Sequence, residues 1–303
     1  LGIEWLSAYD FFMDVSQIKE FVSRWISRIP LSYFSDPSPV VSVLKLSGVI
    51  GQLGPGRSGL TLDNLEKSIE RAFSAKRVKT VALIINSPGG APVQSAQIAR
   101  RIRELGDEKD IPVVAFTEDV AASGGYWLAC AADEIFADAN SIIGSIGVIS
   151  SGFGFVEAIE RLGIERRVHA IGKRKGMLDP FKLEEPEDIK RLKAIQLDIH
   201  ESFKQMVLER RGTKIKGPDS DELFEGDIWT GKQARELGLV DGLGDLKPTM
   251  RAVHGERVKF RVFSGKSNPF KRLLSSHEER TRQKALSVFS VIEEWASWKR
   301  FGM

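Results

Sequence analysis

The spacing of apolar positions changes near residue 40. Before it, Phe11, Val15, Ile18, Val22, Trp25 and Ile29 recur at intervals of three and four, which predicts an amphipathic helix over 1–29, closed by Pro30 and Pro37. After it, short apolar runs alternate with helical patterns. Strands are expected at 40–46, 80–86 and 111–116, the last two apolar almost throughout, as in strands covered on both faces. Helices are expected at 61–73, with Leu62, Leu65, Ile69 and Phe73 on one face and Thr61 as N-cap, and at 93–105. The pattern continues with a short helix at 124–132, a strand at 133–137, a glycine-punctuated segment at 141–150, a helix near 155–162 and a strand at 166–171. A long polar helix comes next at 186–211, then a helix, turn and strand start over 230–246. Beyond residue 264 comes a Gly/Ser/Asn/Pro linker, then a second amphipathic stripe of Leu286, Phe289, Ile292 and Trp295. Strand–helix alternation predicts an α/β fold with a largely parallel sheet. The chain divides into an N-terminal helix (1–37), a central domain (38–263) and a C-terminal appendix (264–303).

Composition sharpens this picture in three places. The 303 residues are 42% hydrophobic and 28% charged, enough for a sizeable core. Cys130 is the single cysteine, so no intramolecular disulfide forms, and its small apolar surroundings suggest inert packing. Net charge is +3 but uneven: residues 251–303 carry 12 Lys and Arg against 5 Asp and Glu, a net of +7, leaving −4 for the rest. A basic end beside a neutral body suits an anionic surface. Nucleic acid is not expected, because Trp295 and Trp298 lie at helical spacing, as on faces used for packing or membranes. No apolar run is long enough to cross a membrane, and no signal peptide is visible, although the chain starts at Leu1. The aromatic-rich helix 1–29 reads either as a packing element or as an interfacial membrane anchor.

Candidate chemistry gathers in the loops that leave the carboxyl ends of parallel strands. In "NSPGGAP" (86–92), Gly89 and Gly90 permit backbone geometries closed to other residues, and their N–H groups can meet a developing negative charge. In "DVAASGG" (119–125), Ser123 stands at the entry to a helix among small neighbours. Its hydroxyl is either an N-cap or a nucleophile beside an oxyanion hole. A nucleophilic serine needs a base. None of His169, His200, His254 and His277 falls between Ser123 and the strand expected at 166–171, where His169 reads as a wall or core residue. Lys173 and Lys175, in "GKRKGMLDPF" (172–181), are the alternative bases. Lysine acts so only when desolvation or a nearby cation lowers its pKa, which Arg174 and an apolar lid of Met177, Leu178 and Phe181 would supply.

The succession "SPGG", "ASGGYWLA" and "DEIFAD…IGSIGV", with "WTGKQARELGLVDGLG" later, resembles the signal peptide peptidase A family of Ser-Lys proteases over about residues 40–262. The resemblance implies the Clp-protease/crotonase fold. It implies Ser123 as nucleophile, Lys175 as general base with Lys173 its rival, and Ser145 as the residue orienting the lysine. Gly89, Gly90 and Gly124 become the oxyanion hole. It further implies serine endopeptidase activity on unfolded or membrane-derived peptides such as cleaved signal peptides, faster at alkaline pH, and a homo-oligomer whose sites take Ser and Lys from neighbouring subunits. No cofactor or metal is expected; the sequence holds no P-loop, HExxH or paired-cysteine site. Members of the family usually carry an obvious membrane-spanning segment, which this sequence lacks, so peripheral membrane association in a bacterium is the expected location. The alternatives are a catalytically inactive membrane-associated scaffold of the same fold and a crotonase-type acyl-CoA enzyme. The latter needs a catalytic carboxylate at the hole, which neither glycine loop supplies directly.

Overall fold

The computed structural model describes residues 38–52, 59–216 and 222–264. The helices expected at 1–29 and within 265–303 lie outside them. Val40–Ser47 (β1), Val78–Ser87 (β2) and Val113–Ala122 (β3) form the centre of the sheet. Leu62–Phe73 (α1) connects β1 to β2 and Pro92–Lys109 (α2) connects β2 to β3. Thr61 caps α1, its hydroxyl accepting the Asn64 N–H at 3.3 Å. β1 pairs parallel with β2, and β2 with β3.

Thr80 to Ile85 of β2 are all buried because both faces of the strand are covered. On one side Leu65, Ile69 and Phe73 of α1 and Ile98 and Ile102 of α2 pack on Leu44, Leu46, Leu83 and Ile85. On the other, Val43, Ala82, Ile84, Val114 and Phe116 meet Met250 and Val258. Each such aliphatic side chain contributes about 1.5–3 kcal/mol by leaving water.

After β3 come Gly124–Ala129 (α3), Glu134–Ala137 (β4), Ile142–Gly144 (β5), Val156–Arg161 (α4) and Pro186–Arg211 (α5). Ile228–Thr230 (β6), Gly231–Glu236 (α6), Gly242–Leu243 (β7), Leu246–His254 (α7) and Lys259–Phe263 (β8) complete the described elements. The sheet runs β6-β5-β3-β2-β1-β8, with β4 beside β3 and β7 beside β4. Every pairing is parallel except β5 with β6.

Two expectations need correction. The strand expected to end at Phe116 continues to Ala122. Between the pairs Ile85–Thr117 and Ser87–Ala121 the register shifts, because β3 has more residues than β2 over this stretch. Such a bulge bends a strand and re-aims the residues beyond it. Here β3 changes neighbour, from β4 over Val114–Thr117 to β5 over Val120–Ala122. The polar residues Glu118 and Asp119 lie exposed at the shift. Second, no strand forms at 166–171, and His169 is exposed rather than part of a wall or core. The apolar alternation there has no strand beside it to pair with, and an unpaired strand is not stable in water. From Gly147 to Ser202 no residue is buried. This stretch makes its own small cluster, in which the Phe155 ring lies against Phe181 and Arg166 pairs with Asp179 and covers the Phe181 ring.

Candidate active site

The end of β3 and the end of β2 converge on Ser123. Ser123 has φ 52° and ψ −123°, a backbone conformation that non-glycine residues rarely adopt and that recurs at functional sites. It occupies the N-cap position of α3, yet its hydroxyl makes no capping hydrogen bond. The plain cap reading is therefore not realised. The backbone is held on both sides: the Ser123 N–H donates to the Gly144 carbonyl at 2.7 Å, and the Trp127 N–H donates to the Ser123 carbonyl at 3.0 Å. α3 is short and made of small and apolar residues, all buried, so it fixes the turn in the core.

Ser145 lies beside Ser123 through sheet register. Ala122 pairs with Gly144, and the next residue on each parallel strand is the serine. Ser145 also has a positive φ, 51°, and is 2% exposed. Its N–H donates to the Asp227 carbonyl at 2.6 Å. A Cβ on Gly144 would stand 2.5 Å from the Trp229 ring. The segment entering β6, including Asp227 and Trp229, thus clamps the Ser145 turn. Neither residue stood out in the sequence, because one acts through its carbonyl and the other through contact.

The glycine loop sits directly on the Ser123 turn. A Cβ on Gly89 would lie 2.8 Å from the Ser123 Cβ and 2.8 Å from the Gly124 nitrogen. The loop's hydrogen bonds divide its two glycines. The Gly89 N–H donates to the Ser87 hydroxyl at 3.2 Å. The Gly89 carbonyl accepts the Ile50 N–H, and the Ala91 N–H donates to the Ile50 carbonyl, each at 2.8 Å. Gly89 is buried and Gly90 exposed. Among the described residues the N–H groups of Gly90 and Gly124 have no acceptor. A site that stabilises an oxyanion needs two such donors, and these two lie at either side of the Ser123 turn. Gly89 is needed for the close approach of its backbone, while its own N–H is already engaged. Ser87 and Ile50 were missed in the sequence; the only signal was their adjacency to a double glycine and to a strand end.

Gly90 has φ +143°, and a Cβ there would fall 2.0 Å from the Ile50 carbonyl oxygen. Gly90→Ala is expected to cost about 2–3 kcal/mol by breaking the Ile50 bridge. Thermal melting reads this as a drop of several degrees, and an unchanged midpoint would show the loop to be looser than its hydrogen bonds indicate.

Lys173 and Lys175 are not joined to this constellation within one chain. Both are exposed in the 170–181 loop. Among the described residues no hydrogen bond or ion pair links Lys175 to Ser123 or Ser145; its backbone N–H donates to Gly172. Met177 and Phe181 are half-buried against their own segment and do not cover the lysine. Cys130, the C-cap residue of α3, is buried, and burial pushes its thiol up to about 12, which keeps it unreactive. His254, lowered by burial and then by Lys79, bonds Thr80 at 2.8 Å at the opposite, amino end of β2. No cluster of His, Cys, Asp and Glu able to hold a metal occurs among the described residues.

The model of peptidase family S49 matches residues 106–258, half of the chain, including Ser123, Ser145 and Lys175. A Brucella abortus protein named as the Na(+)/H(+) antiporter NhaA is 45% identical over 87% of this chain and 37% of its own length. Among the described residues no helix is long and apolar enough to cross a membrane. A signal peptide peptidase SppA of Enterococcus faecium is 31% identical over 71% of this chain and 62% of its own length. The chain thus spans less than two thirds of either relative. A solved structure of a membrane-bound stomatin-specific protease covers 76% of this chain and 98% of its own, at TM-score 0.46 and 16% identity. The family match, together with the parallel sheet and its two glycine loops, makes this chain a member of peptidase family S49, with the Clp-protease/crotonase-like α/β fold.

Proposed function

We propose that this protein is a serine endopeptidase with a Ser-Lys dyad, carried by residues 38–263. The observation that carries this reading is the conformation of Ser123: a positive-φ serine, its hydroxyl unused as a cap, pressed against Gly89 and flanked by the vacant N–H groups of Gly90 and Gly124. Neutral Lys175, oriented by Ser145, takes the proton of the Ser123 hydroxyl as Oγ attacks the scissile carbonyl carbon. The carbonyl oxygen gains the negative charge and accepts hydrogen bonds from Gly90 and Gly124, each such donor typically contributing about 3–4 kcal/mol. Collapse of the intermediate expels the amine, which the lysine protonates, and water then hydrolyses the acyl-enzyme. A base that must be neutral gives a rate that rises toward alkaline pH. The inactive-scaffold alternative gains no support from a site that keeps a strained serine and two vacant donors.

Lys175 reaches a serine of a neighbouring copy. The support is physical. A lysine becomes neutral near pH 7 through desolvation or a nearby cation, and Lys175 is exposed on a stretch with no buried residue, so burial within one chain does not supply the first. That stretch presents Phe153 at 77% and Ile171 at 101% exposure, together with Leu162, Ile164 and Leu183. An apolar surface of this extent is a docking surface for another protein, and a second copy would cover it and Lys175 together. An enclosed oligomer admits extended chains, so the substrates are unfolded peptides such as cleaved signal peptides, the class in the name of the Enterococcus relative. The terminal segments, aromatic at one end and basic at the other, suit peripheral contact with a membrane.

Casein and fluorogenic-peptide hydrolysis tests the reading. Lys175→Ala and Ser123→Ala are each expected to lose at least about 10³-fold in kcat, and Lys173→Ala to stay near wild type. Mixing the two inactive variants, unfolded together and refolded, should restore hydrolysis, since mixed assemblies contain sites with both residues intact. Full activity of Lys175→Ala would remove the base, and no recovery on mixing would place both residues in one chain.

A further inference from the structure

We infer that Ser87 is a positioning residue for hydrolysis: its hydroxyl holds the Gly89 N–H and so keeps the Gly89 backbone, which leads into the Gly90 donor, seated against the Ser123 turn. The inference rests on the Ser-Lys reading above and adds a residue to it.

Ser87 is the last residue of β2, wholly buried and paired with Ala121 of β3, two residues before the nucleophile. Its Oγ accepts the Gly89 N–H at 3.2 Å. Pro88 has no N–H to offer, so this is the first hydrogen bond the chain makes after leaving the strand. Ser87 also touches the other loop: a Cβ on Gly125 would lie 2.4 Å from the Ser87 carbonyl oxygen and 3.2 Å from its Cβ. One residue therefore sits between the loop bearing one oxyanion donor and the turn bearing the nucleophile and the other donor.

The need for it comes from the two glycines. Gly89 and Gly90 have φ +102° and +143°, and glycine has little intrinsic preference among such states. The orientation of their peptides is set by hydrogen bonds. Ile50 fixes the Gly89 carbonyl and the Ala91 N–H; only Ser87 fixes the Gly89 N–H. Without Oγ that buried N–H has no acceptor, and a buried donor turns to find one. The Gly90 N–H lies on the next peptide, whose carbonyl Ile50 holds, so what moves is the Gly89 Cα between the two: it shifts from its seat against Ser123 and Gly124, and the spacing between the Gly90 donor and Ser123 changes with it. The ground state needs no oxyanion donor, so the loss falls on the transition state.

The test uses the full chain with Ser87→Ala and Ser87→Cys, the latter near in size and a weak acceptor. Hydrolysis kinetics are measured per active site, counted by titration with a fluorophosphonate, alongside the affinity for a peptide boronate that forms a tetrahedral adduct on Ser123. Ser87→Ala is expected to lower kcat per site about 10- to 100-fold, leave KM within about threefold, and weaken boronate binding by the same factor as kcat/KM, with Ser87→Cys recovering part of each. A purely structural role predicts fewer titratable sites with unchanged kcat per site, and that result overturns the inference, as does an unchanged Ser87→Ala. A wild-type chain that neither hydrolyses peptide nor takes up fluorophosphonate or boronate overturns the Ser-Lys reading and this inference with it.

Discussion

Ser123→Gly is expected to melt higher than the wild type while losing all hydrolysis. The serine is held at φ 52°, ψ −123° by the Gly144 carbonyl on one side and by α3 on the other. For a residue with a Cβ this region costs about 1–3 kcal/mol, whereas glycine enters it freely. Part of the gain is offset by the greater freedom of glycine in the unfolded chain, about 0.5–1 kcal/mol. A net gain of about 1 kcal/mol raises the melting midpoint by roughly 2–4 °C for a domain of this size. Ser123→Ala removes the nucleophile but keeps the Cβ and therefore the strain, so it should melt near wild type. Both should lose at least about 10³-fold in kcat. The pair separates two properties of one residue: chemistry goes with Oγ, stability with Cβ. A Ser123→Gly protein melting at or below the wild type would mean that the turn is not strained, and would weaken the case that it is built for the hydroxyl.

Asp241→Asn should be among the most destabilising polar substitutions in the described domain. Arg211, at the end of α5, has a side chain only 2% exposed. Its Nη1 donates to the Asp241 carboxylate at 2.6 Å, and its Nη2 to the Gly238 carbonyl at 2.8 Å. Lys214 pairs with the same carboxylate at 2.7 Å, and the Ile135 N–H donates to it at 2.8 Å. This cluster joins α5, β4 and the turn after α6, behind α3 and Cys130. Removing one member of a buried pair leaves its partner buried and unpaired, at a cost of about 3–5 kcal/mol. The pH dependence has a definite sign. Burial raises the Asp241 carboxyl, but hydrogen bonds from Arg211, Lys214 and the Ile135 N–H outweigh it and hold the group below its ordinary value. A carboxyl depressed in the folded state contributes stability above its unfolded pKa, near 3.9, and loses it as pH falls through the lower folded value. Wild type should therefore lose stability more steeply than Asp241→Asn below about pH 4, which denaturant titrations at stepped pH will measure. Parallel acid limbs would mean that another carboxylate carries the acid sensitivity.

The α/β alternation, the doubly covered strand β2 and the cap at Thr61 were all legible in the residues, because each depends on local periodicity and on burial that a strand's own composition reports. So were the two loops on which the proposed chemistry rests, since a double glycine after a strand and a serine before two glycines are local signals. The length of β3 was not legible: Glu118 and Asp119 look like a bend, and pairing with β5 on one side and of Ala121 with Ser87 of β2 on the other keeps the chain extended through them to Ala122. The stretch at 166–171 failed the opposite way, having the alternation of a strand without a neighbour to pair with. Periodicity records what a segment could bury; pairing depends on what else is beside it.

Within the site, sequence alone determined which residue types were present and which loops could bear them. Tertiary structure decided where each sits and which groups it faces. Register set Ser145 beside Ser123, contact set Gly89 against the Ser123 turn, and hydrogen bonding to Ser87 left Gly90 rather than Gly89 with a vacant N–H. The lysine shows the division most clearly. Its loop was readable as a candidate base, but desolvation belongs to the surroundings of a side chain and not to its identity, and in a single chain those surroundings are water.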